Sequence, residues 1–209
     1  RIFCGYSDIT ALHLALANHA GWTTFYGPMF TRFTRKKDEL TKVTEECFHR
    51  AFQAEPIGRV PEDPDDPYVL TVGEGPIVGG CLTLVASSLG TPYEIETDGC
   101  IVLLEDLNEE PYMIDAHLNH LIVAGKLDNA AGLIFGTDVN LKDLTVPEYV
   151  ASNLSIEEIL DELIAPLGIP AIATVPVGHG KTMVTIPLGT RARLDATAKT
   201  LDILEPGVS

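Results

Sequence analysis

The sequence predicts an α/β fold, and three observations carry that prediction. Short apolar runs of strand length recur along the chain, amphipathic segments with clear caps lie between them, and 45% of the 209 residues are hydrophobic, enough for a sizeable core. No internal repeat is present. At this length one large domain or two small ones are possible.

The elements follow in order. Residues 1–6 read as a strand, and from Asp8 a helical pattern begins, with Ile9, Leu12, Leu16 and Ala20 predicted on one buried face. Gly21 suits the end of that helix. Trp22 to Tyr26, rich in β-branched and aromatic residues, predicts a second strand closing on a Gly27-Pro28 turn. Asp38 to Phe52 predicts an amphipathic helix with Leu40, Val43, Cys47 and Ala51 inward and Lys42, Glu45, Glu46 and Arg50 outward.

From Glu55 to Pro67 five prolines and glycines interleave with Glu62, Asp63, Asp65 and Asp66, a density that rules out continuous helix or sheet. This stretch is taken as a linker or exposed crossover. It divides the chain into residues 1–54, a linker at 55–67, and a second domain at 68–209.

In the second domain Tyr68 to Val72, Ile101 to Leu104, Gly132 to Phe135 and Ala171 to Val175 predict strands. Glu109-Glu110-Pro111 opens a helix with proline in its first turn, and Ile114, Leu118, Leu121 and Ile122 supply its apolar face. Ser155 with Glu158 forms a capping box ahead of the stripe Ile156, Ile159, Leu160, Leu163, Ile164 and Leu167, which Gly168 terminates. Met183 to Ile186, Arg191 to Asp195 and Thr200 to Leu204 predict successive strands, joined at Pro187-Leu188-Gly189 and at Ala196.

Charge excludes one class of partner. With 14 basic against 30 acidic residues the net charge is −16, which repels a phosphate backbone, so nucleic acid is not expected. No run approaches the roughly 18 apolar residues of a membrane-spanning helix, so no membrane partner is expected either. Cys4, Cys47, Cys81 and Cys100 are far apart, lack any C-x-x-C spacing and sit in apolar settings. They predict reduced, buried thiols in a cytoplasmic protein.

Three positions carry candidate chemistry. Gly5-Tyr6-Ser7-Asp8 takes a strand directly into a helix, which leaves the Ser7 hydroxyl on a tight turn beside the backbone N–H groups of the new helix. Ile9 stands where a second glycine would complete a nucleophile elbow, and Ser7 could equally be a helix N-cap. Glu105 and Asp106 directly follow the strand ending at Leu104, where α/β sheets place their sites, though a capping acid is the alternative. His179 lies between Gly178 and Gly180 in a loop that could aim its imidazole into a cleft or leave it exposed. His117 and His120, three apart with Asp115 before them, have metal-compatible spacing but no third ligand, so no metal or other cofactor is expected. His13 and His19 have no ligand spacing.

Five motifs then agree in order and approximate spacing: Gly5-Tyr6-Ser7-Asp8-Ile9-Thr10-Ala11-Leu12; Tyr26-Gly27-Pro28-Met29; Gly79-Gly80 with Leu82-Thr83-Leu84; Leu103-Leu104-Glu105-Asp106; and Gly178-His179-Gly180 with Ile186-Pro187-Leu188-Gly189. In these the whole chain resembles the LD-carboxypeptidases, serine peptidases that also include the microcin-immunity peptidases. The resemblance implies a Ser-Glu-His triad of Ser7 as nucleophile, His179 as general base and Glu105 as the carboxylate that orients it. The N–H of Asp8 would be one oxyanion donor. The implied architecture is the C-terminal part of a Rossmann-like nucleophile domain followed by a complete β/α domain carrying Glu105 and His179.

Family members carry an Arg-Gly-Gly-Tyr-Gly loop upstream of the serine, which is absent here, so an N-terminally truncated chain, close to inactive alone, is expected. Cys81 replaces a commonly seen asparagine. The implied activity is release of terminal D-alanine from L,D bonds of muropeptides in cytoplasmic cell-wall recycling, by a homodimer. The alternatives are a microcin-immunity-like peptidase acting on aminoacyl-nucleotide conjugates, and a non-catalytic α/β binding module.

Overall fold

A computed structural model describes residues 1–34, 41–61, 67–69, 71–137 and 155–208. The first strand, β1 (Cys4–Gly5), enters a 3-10 turn over Ser7–Ile9 that continues into α1 (Thr10–Ala20). Gly21 ends α1 in the left-handed conformation, φ 61°, as expected. Then come β2 (Thr24–Tyr26), α2 (Phe30–Thr34) and α3 (Lys42–Ala51). The Thr41 hydroxyl caps α3 by accepting from the Thr44 amide, and Cys47 and Ala51 face inward from it. The earlier start expected at Asp38, with Leu40, lies outside the described residues.

The α1 face differs from expectation. Thr10, His13 and Leu14 are buried, whereas Leu12 is 50% exposed. The 3-10 turn has about three residues per turn, so it shifts the phase of the helix that follows. Two polar side chains turn inward because each finds a partner: the Thr10 hydroxyl accepts from the Cys81 amide at 2.9 Å, and His13 bonds Thr24 and Gly5.

Beyond residue 54 the structure adds regularity that the proline-rich composition hides. Ile57 and Val60 are buried, and β3 (Gly58–Arg59) pairs with the last strand. The rest runs β4 (Pro67–Val69), β5 (Val72–Cys81), α4 (Leu82–Ser87), β6 (Ile101–Glu105), α5 (Pro111–Val123), β7 (Gly132–Thr137), α6 (Ile156–Leu163), a 3-10 turn at Ala165–Leu167, β8 (Ala171–Gly178), β9 (Ile186–Leu188), β10 (Arg191–Asp195) and β11 (Thr200–Ile203). Both halves of the Ser155–Glu158 capping box form, and Pro111 opens α5 in its first turn.

Among the described residues the strands form two sheets. One has the order β1-β2-β9; the other, with eight strands, has the order β3-β11-β10-β5-β6-β7-β8-β4. Strands β5 to β8 are parallel neighbours, the arrangement that crossover helices produce, and the flanking pairs are antiparallel. Because β6 lies at the centre, all five of its residues are buried. Ile101 and Leu103 join the core shared with β10 and β11, while Val102 and Leu104 join the core under α4, α5 and α6.

The strand expected at Met183–Ile186 sits elsewhere. Only from Ile186 does the chain become extended, and β9 leaves the large sheet to pair antiparallel with β2. Pro187, which has no N–H to give, is accommodated because β9 is an edge strand.

Candidate active site

The turn after β1 positions Ser7. Tyr6 is extended, at φ −149° and ψ 178°, and Ser7 then reverses to φ 59°, left-handed for a residue with a Cβ. Such a conformation costs about 1 to 3 kcal/mol and persists only where the surroundings hold it. Here the Ile9 amide closes the turn on the Tyr6 carbonyl, and the Ser7 amide donates to the Tyr26 hydroxyl at 2.9 Å. Asp8 follows in the same turn, exposed. A strained turn between strand and helix is the layout of a nucleophile elbow, formed here with Ile9 where a glycine was anticipated.

Glu105 ends β6 and is fully buried. Two donors meet its carboxylate: His179 Nδ1 at 2.9 Å from Oε2, and the Tyr26 hydroxyl on Oε1. A carboxylate only accepts, so Nδ1 of His179 carries a proton, and in the neutral ring this tautomer puts the lone pair on Nε2. Burial, then the charge of Glu105, hold the Tyr26 phenol well above its ordinary range, so its hydroxyl stays protonated as the donor. The Tyr6 ring meets the His179 ring edge-on, with centroids 5.0 Å apart.

Backbone without side chains makes room for this. Gly178, at φ 95°, ends β8 immediately before His179, and a Cβ there would stand 2.2 Å from Glu105 Oε2. A second close approach brings α1 against β5, where a Cβ on Gly80 would meet the Thr10 hydroxyl oxygen at 2.4 Å.

The two adjacent carboxylates divide their roles. Asp106 accepts from the Thr83 amide at 2.9 Å, the Thr83 hydroxyl at 2.8 Å and the Leu107 amide at 2.9 Å, so it is the acid that caps α4. The Cys81 thiol, 3.7 Å from Asp106, is pushed up to about 12, chiefly by burial. His117 and His120 remain on α5, half-buried and exposed respectively. Among the described residues no three His, Cys, Asp or Glu side chains converge as a metal site.

Ser7, Glu105 and His179, from three separate elements, thus lie in one network running His179–Glu105–Tyr26–Ser7. Sequence reasoning quoted Tyr26 within a motif but gave it no role, and it passed over His13. The available signal for Tyr26 was its place at the C-terminal end of a predicted strand; its parallel pairing in register with Gly5 belongs to the fold. Nothing local marks His13, which is buried with Nδ1 2.8 Å from the Thr24 hydroxyl and Nε2 3.0 Å from the Gly5 carbonyl.

Known proteins resemble this chain along its whole length. The LD-carboxypeptidase N-terminal domain matches residues 1–27, which include Ser7 and Tyr26. The C-terminal domain of the same family matches residues 74–194, which include Glu105 and His179. A probable murein peptide carboxypeptidase of Bacillus subtilis (strain 168) is 38% identical over 210 residues, covering 100% of this chain. The chain spans 64% of that relative's length. The crystal structure of muramoyltetrapeptide carboxypeptidase from Oxalobacter formigenes superposes with a TM-score of 0.80 at 32% identity, covering 98% of this chain and 68% of that one. A structure of MccF in complex with glutamyl sulfamoyl guanosine reaches a TM-score of 0.83 at 22% identity, covering 100% of this chain and 69% of that one, a likeness of fold alone. By its matched domains and its fold, the chain belongs to the LD-carboxypeptidase family.

Proposed function

We propose that Ser7, Glu105 and His179 form a hydrolytic triad and that the protein releases terminal D-alanine from the L,D bond of muropeptides. The observation that carries this is the His179–Glu105 bond, which leaves Nε2 free to act as a base in a network that also holds the Ser7 turn. The names of two similar proteins, a murein peptide carboxypeptidase and a muramoyltetrapeptide carboxypeptidase, support the substrate class.

The chemistry follows from the geometry. A serine hydroxyl is a weak nucleophile near neutral pH, so His179 Nε2 takes its proton as Oγ attacks the carbonyl of the penultimate residue. Glu105 holds the Nδ1–H tautomer and stabilises the imidazolium that forms. The Asp8 N–H faces the developing oxyanion as one donor. The imidazolium then protonates the leaving amine, free D-alanine departs, and water repeats the sequence on the acyl-enzyme.

Four free thiols, three of them buried, support a reducing compartment such as the cytoplasm. The family resemblance supports a homodimer, which light scattering would read as twice the monomer mass. Among the described residues β1 has a strand neighbour on one side only, and this supports weak turnover for residues 1–209 assayed alone.

The test is D-alanine release from a tetrapeptide muropeptide by the full-length protein. Ser7→Ala, Glu105→Ala and His179→Ala should each lower turnover by about 10³ to 10⁶, with the serine and histidine losses the larger. EDTA should leave the rate unchanged. Near-normal turnover by Ser7→Ala would overturn the serine mechanism. Faster cleavage of an aminoacyl-nucleotide conjugate than of the muropeptide would select the immunity-type activity instead.

A further inference from the structure

We infer that Tyr26 is a positioning residue of this site, its one hydroxyl tying the Ser7 backbone to the Glu105 carboxylate; the inference rests on the Ser-Glu-His reading above. Tyr26 is fully buried at the end of β2, beside Gly5 of β1. Its hydroxyl donates its single proton to Glu105 Oε1 and accepts from the Ser7 amide at 2.9 Å. A phenol can do both at once, having one donor and free lone pairs.

Two consequences follow for the reaction. With Oε1 occupied by Tyr26, the carboxylate is held so that Oε2 faces His179 Nδ1, which sets the imidazole's tautomer and angle. On the other side, the hydroxyl anchors the amide of a residue in the costly left-handed conformation, which keeps Ser7 on its turn. One group thereby sets the relative placement of nucleophile and orienting acid. A phenylalanine would fill the same space and supply neither bond, and it would also lose the hydroxyl's third contact, with the Thr10 side chain.

The hydroxyl also sets the basicity of the pair. A donor on Oε1 draws charge from the carboxylate; its loss leaves Glu105 more basic and stabilises the His179 imidazolium more strongly. The titratable and charged groups that face this network are His179 from the loop after β8, with the Tyr6 ring against it and Arg32 donating to the Gly180 carbonyl beside it; Tyr26 from β2, with the His13 ring against it; Cys81 at the end of β5; and Asp106 next in sequence. Of these, only the Tyr26 contact changes in the variant.

Tyr26→Phe in the full-length protein should lower kcat by about 10 to 10²-fold with KM within about twofold, the scale of a misplaced catalytic group. The acid limb of kcat/KM should move to higher pH by at least about half a unit, and so should the His179 imidazole titration followed by NMR. A merely structural tyrosine would leave both unmoved. Replacing Tyr26 by 3-fluorotyrosine, a stronger donor that keeps both contacts, should move the His179 titration the opposite way with turnover retained, a readout that survives if Tyr26→Phe does not fold. Unchanged kcat, acid limb and His179 titration in folded Tyr26→Phe would overturn the inference while leaving the triad standing. Retained turnover in Ser7→Ala would instead overturn the triad, and the His179 titration would still decide the Tyr26 link on its own.

Discussion

Gly178 shows how a single missing side chain can shape a site. Its φ of 95° and the 2.2 Å that would separate a Cβ from Glu105 Oε2 mean that Gly178→Ala must move either the carboxylate or the His179 loop. Turnover in that variant should fall by about 10²-fold, as expected when a reacting group is displaced by about 1 Å, with thermal unfolding as the control for folding. His13 makes the complementary case for a buried polar group. Burial pulls its pKa below the ordinary 6.5, so the ring is neutral, donates from Nε2 to the Gly5 carbonyl and accepts at Nδ1 from Thr24. An unfolded chain takes up the proton near the ordinary pKa and the folded one only at lower pH. The contribution is therefore present above that value and lost as pH falls through and below it. Urea unfolding from about pH 7.5 down to about pH 5 should show the stability gap between wild type and His13→Gln narrowing with acidity. A constant gap would mean that the ring is not neutral in the fold.

At the scale of elements, legibility followed how local the signal was. The α6 start was readable because a capping box involves residues three apart, and both of its bonds form. Ser155→Ala should cost about 1 kcal/mol in stability, read by denaturant unfolding, and leave D-alanine release unchanged, since the Ser155 side chain bonds Glu158 and not the groups that hold Ser7, Glu105 and His179. The inward face of α5 was readable for the same reason, as Ile114, Leu118 and Leu121 repeat at helical spacing and are buried. By contrast the buried face of α1 was misread, though the helix and its end at Gly21 were not. Its first turn is a 3-10 turn, and its buried positions include a threonine and a histidine whose partners, Cys81 and Thr24, lie outside the helix. Helix α4 went unread, since its N-terminus is capped by Asp106, 23 residues on from Thr83.

For the whole molecule, the four cysteines give a test of packing at separate places: Cys47 lies in the core shared with β10 and β11, Cys4 packs against it, and Cys81 and Cys100 are buried elsewhere. Burial pushes Cys4 and Cys81 up to about 12 and raises Cys47 and Cys100, so each thiol is both shielded and poorly ionised. A thiol reagent near about pH 8 should label the native protein slowly and four sites promptly after unfolding in denaturant. Rapid native labelling would show the cores to be open. The α/β class, the strands β6, β7 and β8 and the choice of Ser7, Glu105 and His179 as candidates were legible in the order of residues, because strand runs, caps and Gly-flanked turns are written within a few neighbours; β5, interrupted by glycines and a proline, was not. The sequence left open whether Ser7 was only a cap, and which of two adjacent acids mattered. Folding separated Glu105 from Asp106 by pointing one at His179 and the other at the N-terminus of α4. It also sent β9 across to the small sheet and set Tyr26 between Ser7 and Glu105, 79 residues apart from the latter. Such contacts depend on where distant strands end in space, and no periodicity within one segment encodes that.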